Sequence, residues 1–139
     1  MSIVLTVKDA YEVASVAGIA DDPDEEYYRA CGIMSKENLE AIIGENKVES
    51  TESNMYYAIE DDEDNELETD DDFDYIVNCF ADDDFEQDED YNGEYWVIAE
   101  CEYKIKLTES ATPDDIRKLK VYITKAADIK EENIKETRE

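Results

Sequence analysis

The chain has 139 residues, of which 41 are acidic, 13 are basic and none is histidine, for a formal charge of −28. That length suits one modest core, and a 42% hydrophobic fraction with ten tyrosines is too apolar for a wholly disordered acidic chain. The charge argues against nucleic acid as a direct ligand, and no stretch approaches the ~18 consecutive apolar residues of a membrane span.

Ile3, Leu5 and Val7 alternate, predicting an N-terminal strand. Asp9 and Glu12 then form a capping box, Val13 and Ala17 follow at helical spacing, and Gly18 can close the turn, so a helix is expected over 9–18. Asp22, Pro23 and Glu25 start a second helix carrying Tyr27, Tyr28 and Cys31 before Gly32. A third begins at Ser35, puts Leu39, Ile42 and Ile43 on one face, and ends at Gly44. Met55 to Ile59 reads as a strand. Thr69 to Ala81 places Phe73, Ile76, Val77 and Phe80 at i, i+3, i+4 and i+7, an amphipathic helix with Asp70, Asp71 and Asp72 at its positive end.

Asn92-Gly93 is a turn signal ahead of the clearest strand in the sequence. From Tyr95 to Leu107 the odd positions read Tyr, Val, Ala, Cys, Tyr, Ile, Leu, and from Glu100 the even ones read Glu, Glu, Lys, Lys. Thr112, Pro113 and Asp115 start a last helix with Ile116, Leu119 and Ile123 along one side. These elements predict a single α+β domain over 1–139, a small antiparallel sheet with short helices on one face. Cys31, Cys79 and Cys101 are odd in number and widely spaced, as expected of reduced, mostly buried thiols. The opening MSIVLTVKDAY has neither the basic start nor the apolar core of a signal peptide, so a cytoplasmic location is expected.

The charge is distributed unevenly. Residues 1–47 hold ten acids and four bases, residues 48–103 hold twenty-three acids and no base, and residues 104–139 hold eight acids and nine bases. General adaptation to salt would make the whole surface acidic, and an asymmetry of this kind points instead to an interaction face. Within the block, EDDEDNELETDDD at 60–72 has ten acids in thirteen positions, and DDDFEQDED follows at 82–90. Phe73, Ile76, Val77, Phe80 and Phe85 interrupt these runs, so 60–90 is expected to be ordered apart from 60–68.

A chain without histidine, without a glycine-rich phosphate loop and without a cysteine nucleophile paired to a base is not expected to be an enzyme. Asp88, Asp90, Asn92 and Gly93 match positions 1, 3, 5 and 6 of a calcium loop. Position 12 is Ala99, however, Glu100 comes one residue late, and a strand follows where the motif needs a helix; no cofactor or metal is expected. A solvated face would intersperse both signs to limit self-repulsion. Fifty-six residues without a base therefore imply a strongly basic partner.

In size, composition and charge layout the whole chain resembles the DNA-mimic inhibitors of phages and mobile elements, which block restriction enzymes, CRISPR effectors or other DNA-binding host proteins. The resemblance implies occupation of a nucleic-acid-binding channel in a defence nuclease or effector complex, as an anti-CRISPR or anti-restriction protein, in the host cytoplasm. It brings no shared fold. The acids assigned to partner binding are Glu60, Asp61, Asp62, Glu63, Asp64, Glu66, Glu68, Asp70, Asp71, Asp72, Asp74, Asp82, Asp83, Asp84, Glu86, Asp88, Glu89 and Asp90. The alternative is an acidic chaperone or scaffold for a basic protein, with a calcium-binding protein ranked below it. Monomer and homodimer both stay open.

Overall fold

The computed structural model describes residues 2–87, 90–91 and 93–138. Its elements run β1 (Ile3–Ser15), β2 (Gly18–Ile19), α1 (Asp24–Ile33), α2 (Lys36–Ile43), β3 (Val48–Glu60), β4 (Glu66–Asp70), α3 (Phe73–Ala81), β5 (Trp96–Leu107), α4 (Pro113–Ala126), a 3-10 turn (Glu131–Asn133) and β6 (Ile134–Arg138). The fold is α+β. The antiparallel sheet has the order β2-β1-β5-β3-β4, and β6 pairs with β1.

β5 follows its alternation closely. Val97, Ala99, Cys101, Tyr103, Ile105 and Leu107 are all buried, while Glu100, Glu102, Lys104 and Lys106 reach solvent to differing degrees. The period of two places successive side chains on opposite faces, so one run of sequence supplies both core and surface.

The expected helix over 9–18 does not form. β1 continues through Asp9 and Glu12 to Ser15, and Val16 and Ala17 then turn the chain into β2, with Ser15 opposite Gly18 and Ala14 opposite Ile19. Gly18 adopts φ +137°, a backbone that side-chain-bearing residues rarely take, so it serves the hairpin and not a helix end. The local cap signal loses to strand pairing that buries Val13 and Ala14.

The starts of α2 and α4 agree with the sequence, whereas α1 begins at Asp24, just past Pro23. Ser35 caps α2, its hydroxyl accepting from the Asn38 N–H, and Gly44 closes the helix at φ +111°. Thr112 and Asp115 form the reciprocal capping box of α4, with Pro113 at its first position. Gly32 lies inside α1, which runs on to Ile33. β6 was not foreseen: its only buried residue is Ile134, and four exposed polar residues follow. None of the three cysteines is in a disulfide; Cys79 and Cys101 are buried and Cys31 partly so.

By backbone proximity the chain divides into two compact units. The first comprises Met1–Asp9, Glu25–Asn54 and Glu102–Glu139. Leu5, Val7, Leu39, Ile105, Leu107, Leu119 and Ile123 are fully buried within it. Lys47 Nζ meets Asp115 Oδ2 at 2.9 Å, and the Thr112 N–H donates to the same oxygen at 2.9 Å, fastening the start of α4. The second comprises Ala10–Asp24 and Met55–Cys101. Its core joins Val13, Ala14, Tyr57, Ile59, Ile76, Val77, Cys79, Val97 and Ala99, with Phe73, Phe80, Phe85 and Tyr95 packed against it. Burying each such aliphatic side chain contributes roughly 1.5–3 kcal/mol, which is what holds the acidic segments to a scaffold.

Candidate anionic interface

The fold keeps the charge asymmetry of the linear sequence and gives it a core of its own. The second unit contains 24 acids and no lysine or arginine, hence −24; the first contains 17 acids and all 13 bases, hence −4. The two make up the −28 of the chain.

Within the second unit, residues 61–65 form a turn built around one carboxylate. Asp61 Oδ1 accepts from the backbone N–H groups of Glu63 (2.9 Å) and Asn65 (3.0 Å), and its Oδ2 accepts from the Asn65 side chain (3.1 Å). Desolvation opposes ionisation of Asp61, but the Asn65 and Glu63 donors prevail and hold its carboxyl below the usual range. Asp64 takes the left-handed conformation at φ +63°, which aspartate tolerates better than most residues. In the segment set apart from the ordered part of the acidic block, 60–68, a hydrogen-bonded turn leads directly into β4.

β4 pairs antiparallel with β3, Asp70 opposite Tyr57 and Glu68 opposite Ile59, with a register shift between Ile59 and Glu60 that brings Glu60 opposite Glu66. Glu66, Glu68 and Asp70 alternate along the strand and so share a face at intervals of ~6.6 Å. Asp70 Oδ1 accepts from the Asp72 N–H at 2.8 Å, and Asp72 caps α3 by accepting from the Tyr75 N–H at 3.3 Å. Asp71 and Asp74 are exposed beside that cap, where the helix dipole favours anions. α3 thus starts four residues later than Thr69, because Thr69 and Asp70 still belong to the sheet. At its other end Asp82, Asp83 and Asp84 are exposed, with Asp83 left-handed at φ +53°. Glu86 and Asp90 are also exposed; Asp88 and Glu89 lie outside the described residues.

Glu60 behaves differently from every other described acid assigned to this face. It is only 6% exposed, and its Oε2 is buried with no hydrogen-bond partner. Burial, then the adjacent Glu100 carboxyl, then Glu66 and Asp64, push its carboxyl up to about 9. Oxygens of Glu60, Glu66 and Glu100 lie within 4.8 Å of one another. The Tyr56 hydroxyl donates to Glu66 Oε1 at 2.6 Å and orients it. A cleft of about 360 Å³ adjoins this group, lined by Glu60, Asp61, Asp62, Asp64 and Glu100 together with Trp96 and Ile98.

Most of the predicted acids therefore sit on the surface of one unit, while Glu60 lies beneath it. Sequence reasoning did not pair Glu100 with Glu60 and Glu66. Its place on the wet face of β5 was legible; the strand order that sets β5 beside β3 was not. The calcium-loop match at 88–100 gains no exit helix, since residues 96–107 are strand, and its Asp88 and Asn92 lie outside the described residues. No described helix is long and apolar enough to cross a membrane. No protein family, curated protein sequence or solved structure matches the chain.

Proposed function

We propose that this protein is a DNA mimic: an anionic decoy that occupies the nucleic-acid-binding channel of a basic nuclease or effector complex in bacterial defence, acting in the host cytoplasm as an anti-CRISPR or anti-restriction protein. One observation carries this reading, the packing of 24 acids and no base into one unit with its own hydrophobic core. Like-charge repulsion of that size works against folding, and a basic partner offsets it.

Position supports the reading as well as number. Duplex DNA presents one charge per ~1.7 Å of axis, and channels that bind it hold Lys and Arg in rows. Carboxylates fixed on β4, around the 61–65 turn and at both ends of α3 offer such channels a rigid array, with bidentate Arg–carboxylate pairs as the natural contact. No catalytic step is involved: binding excludes DNA, and steering by the anionic field makes association fast.

The test is affinity capture from a bacterial lysate in low salt, followed by elution with duplex DNA. A mimic predicts that DNA releases the captured protein, that the protein itself binds no DNA, and that capture fades as salt rises. A partner that stays bound while it engages DNA would overturn the reading. Capture confined to unassembled ribosomal proteins or similar basic clients would instead indicate the chaperone alternative.

A further inference from the structure

The group formed by Glu60, Glu66 and Glu100 has a chemistry of its own. Glu60 closes β3, Glu66 opens β4 and Glu100 stands on β5, so three strands converge on it. One oxygen from each lies within 4.8 Å of the others. Calcium takes oxygen ligands at ~2.3–2.6 Å, so two oxygens on one ion are at most about 5 Å apart. For magnesium, at ~2.0–2.1 Å, the limit is about 4.2 Å, and its octahedron is strict. Three oxygens this close can converge on one ion with small side-chain adjustments, and the longer bonds and flexible shell of calcium ask for the smaller ones.

A second observation is independent of this clustering. Glu60 is more than nine-tenths buried, its Oε2 has no hydrogen-bond donor, and the adjacent Glu100 carboxyl can meet Glu60 only through a shared proton, which an ion would replace. A buried carboxylate oxygen without a partner is costly, and a cation relieves that cost directly. No lysine or arginine belongs to this unit, so a side-chain cation from within it cannot serve. Tyr56 fixes Glu66 from behind, as outer groups commonly do for metal ligands. The adjoining cleft, with Asp61, Asp62 and Asp64 on its lining, gives entry to the ion and room for waters.

We propose that Glu60, Glu66 and Glu100 bind one calcium ion, coordinated by their carboxylates and completed by water from the neighbouring cleft. The site is separate from the calcium-loop match at 88–100 except for Glu100. It does not depend on the identity of the basic partner. By joining β3, β4 and β5 the ion stabilises the folded chain through mass action.

Trp96 is the only tryptophan and lines the cleft, so it reports on the site without a label. The experiment titrates CaCl2 into the full chain, stripped with chelator, in ~0.15 M KCl to screen diffuse ion condensation. Trp96 fluorescence, calorimetry and melting temperature are followed together, with terbium luminescence excited through Trp96 as a second probe. The expected result is one saturable ion with Kd of about 10⁻⁴ M or tighter and a melting temperature that rises with calcium. Glu60→Gln and Glu100→Gln each weaken binding by at least about tenfold and lose the thermal shift, as removal of a charged ligand requires. A control that neutralises three exposed acids of the same unit, Glu12→Gln with Asp21→Asn and Glu94→Gln, changes affinity by less than about twofold if binding is local and not diffuse. Should Glu60→Gln fail to fold, the exposed Glu66→Gln takes its place in the comparison. Binding that does not saturate, a control that weakens as much as the ligand variants, or a Glu60→Gln protein that binds like the wild type would each overturn the proposal.

Discussion

The hydroxyl of Tyr91 accepts a 3.0 Å hydrogen bond from the backbone N–H of Asp62, and it donates a 2.8 Å bond to the carbonyl of Glu94. One aromatic side chain thus pins the 61–65 turn to the segment that leads into β5. Its ring also lies 5.0 Å from that of Tyr95, which meets Phe85 edge-on at 5.2 Å. The two acidic runs share an anchor, so their relative placement is set by packing and not by their charges.

Tyr91→Phe keeps the ring and removes both hydrogen bonds. The variant should be slightly less stable in urea unfolding, and the Asp62 amide should exchange faster in hydrogen-exchange measurements. Gly93→Ala should cost more. A Cβ there would overlap the Tyr91 hydroxyl and the ring carbons beside it, so the tip of the ring must shift and its two hydrogen bonds are strained. A Gly93→Ala protein as stable as the wild type would show that the anchor is dispensable.

The 61–65 turn allows charge to be separated from shape. Asp61→Asn and Asp62→Asn each remove one negative charge, but only Asp61 accepts three hydrogen bonds inside the turn. Asp62→Asn should lower target affinity modestly and leave amide shifts at 61–65 unchanged. Asp61→Asn should perturb those shifts, and Asp61→Ala should perturb them further and speed exchange of the Glu63 and Asn65 amides, since those donors are left to water. Identical spectra for the two asparagine variants would remove the turn from the account.

How much of this was visible beforehand depended on how local each signal was. The caps of α2 and α4 and the alternation of β5 are properties of a few adjacent residues, and all three were readable. Asp9 and Glu12 gave an equally good cap signal and were wrong, because the burial of Val13 and Ala14 in a paired strand outweighs a capping contribution of ~1 kcal/mol. The acidic face was legible as composition, whereas the burial of Glu60 was not. That burial arises from a register shift at Ile59/Glu60 and from Glu100, forty residues away, neither of which leaves a local trace. That the acidic block holds no base was legible in 48–103; that the base-free residues 10–24 belong with it was not.

Asp115 gives the clearest pH dependence. Its bond to Lys47 is the main reason, and the Thr112 N–H the next, that its carboxyl is lowered to about 2, against an ordinary value of 3.8. A depressed carboxylate contributes stability that is fully present above the ordinary value and is lost as pH falls through the lowered one. The window is therefore between about pH 4 and pH 2. Over the same range protonation of the other acids relieves repulsion, so the comparison has to be with a variant. Asp115→Asn should lose less stability than the wild type on going from pH 4 to pH 2. Asp115→Ala should cost about 2–4 kcal/mol near neutral pH in urea unfolding, combining a lost cap with an orphaned Lys47. Parallel pH curves for the wild type and Asp115→Asn would mean that the Lys47 contact contributes nothing.

The decisive separation is between the acidic face and the core that presents it. Reversal to lysine is best made at Asp62, Glu63, Asp84 and Glu86, which are exposed and carry no special backbone conformation, unlike Asp64 and Asp83. Four reversals move the second unit from −24 to −16. Less self-repulsion should leave the melting temperature unchanged or raise it, while affinity for the DNA-displaceable partner falls by about tenfold or more. Ile76→Ala is the complementary change. Ile76 is fully buried in the α3 core, so its truncation should cost about 2–5 kcal/mol; Phe80 is only half-buried, and its truncation should fall below the ~3–5 kcal/mol of a fully buried ring. At a temperature where Ile76→Ala remains folded, it keeps every surface acid and should bind its partner as the wild type does. The reverse pattern, in which the lysine variant unfolds while Ile76→Ala loses the partner without losing stability, would make the acids structural and the mimic reading untenable.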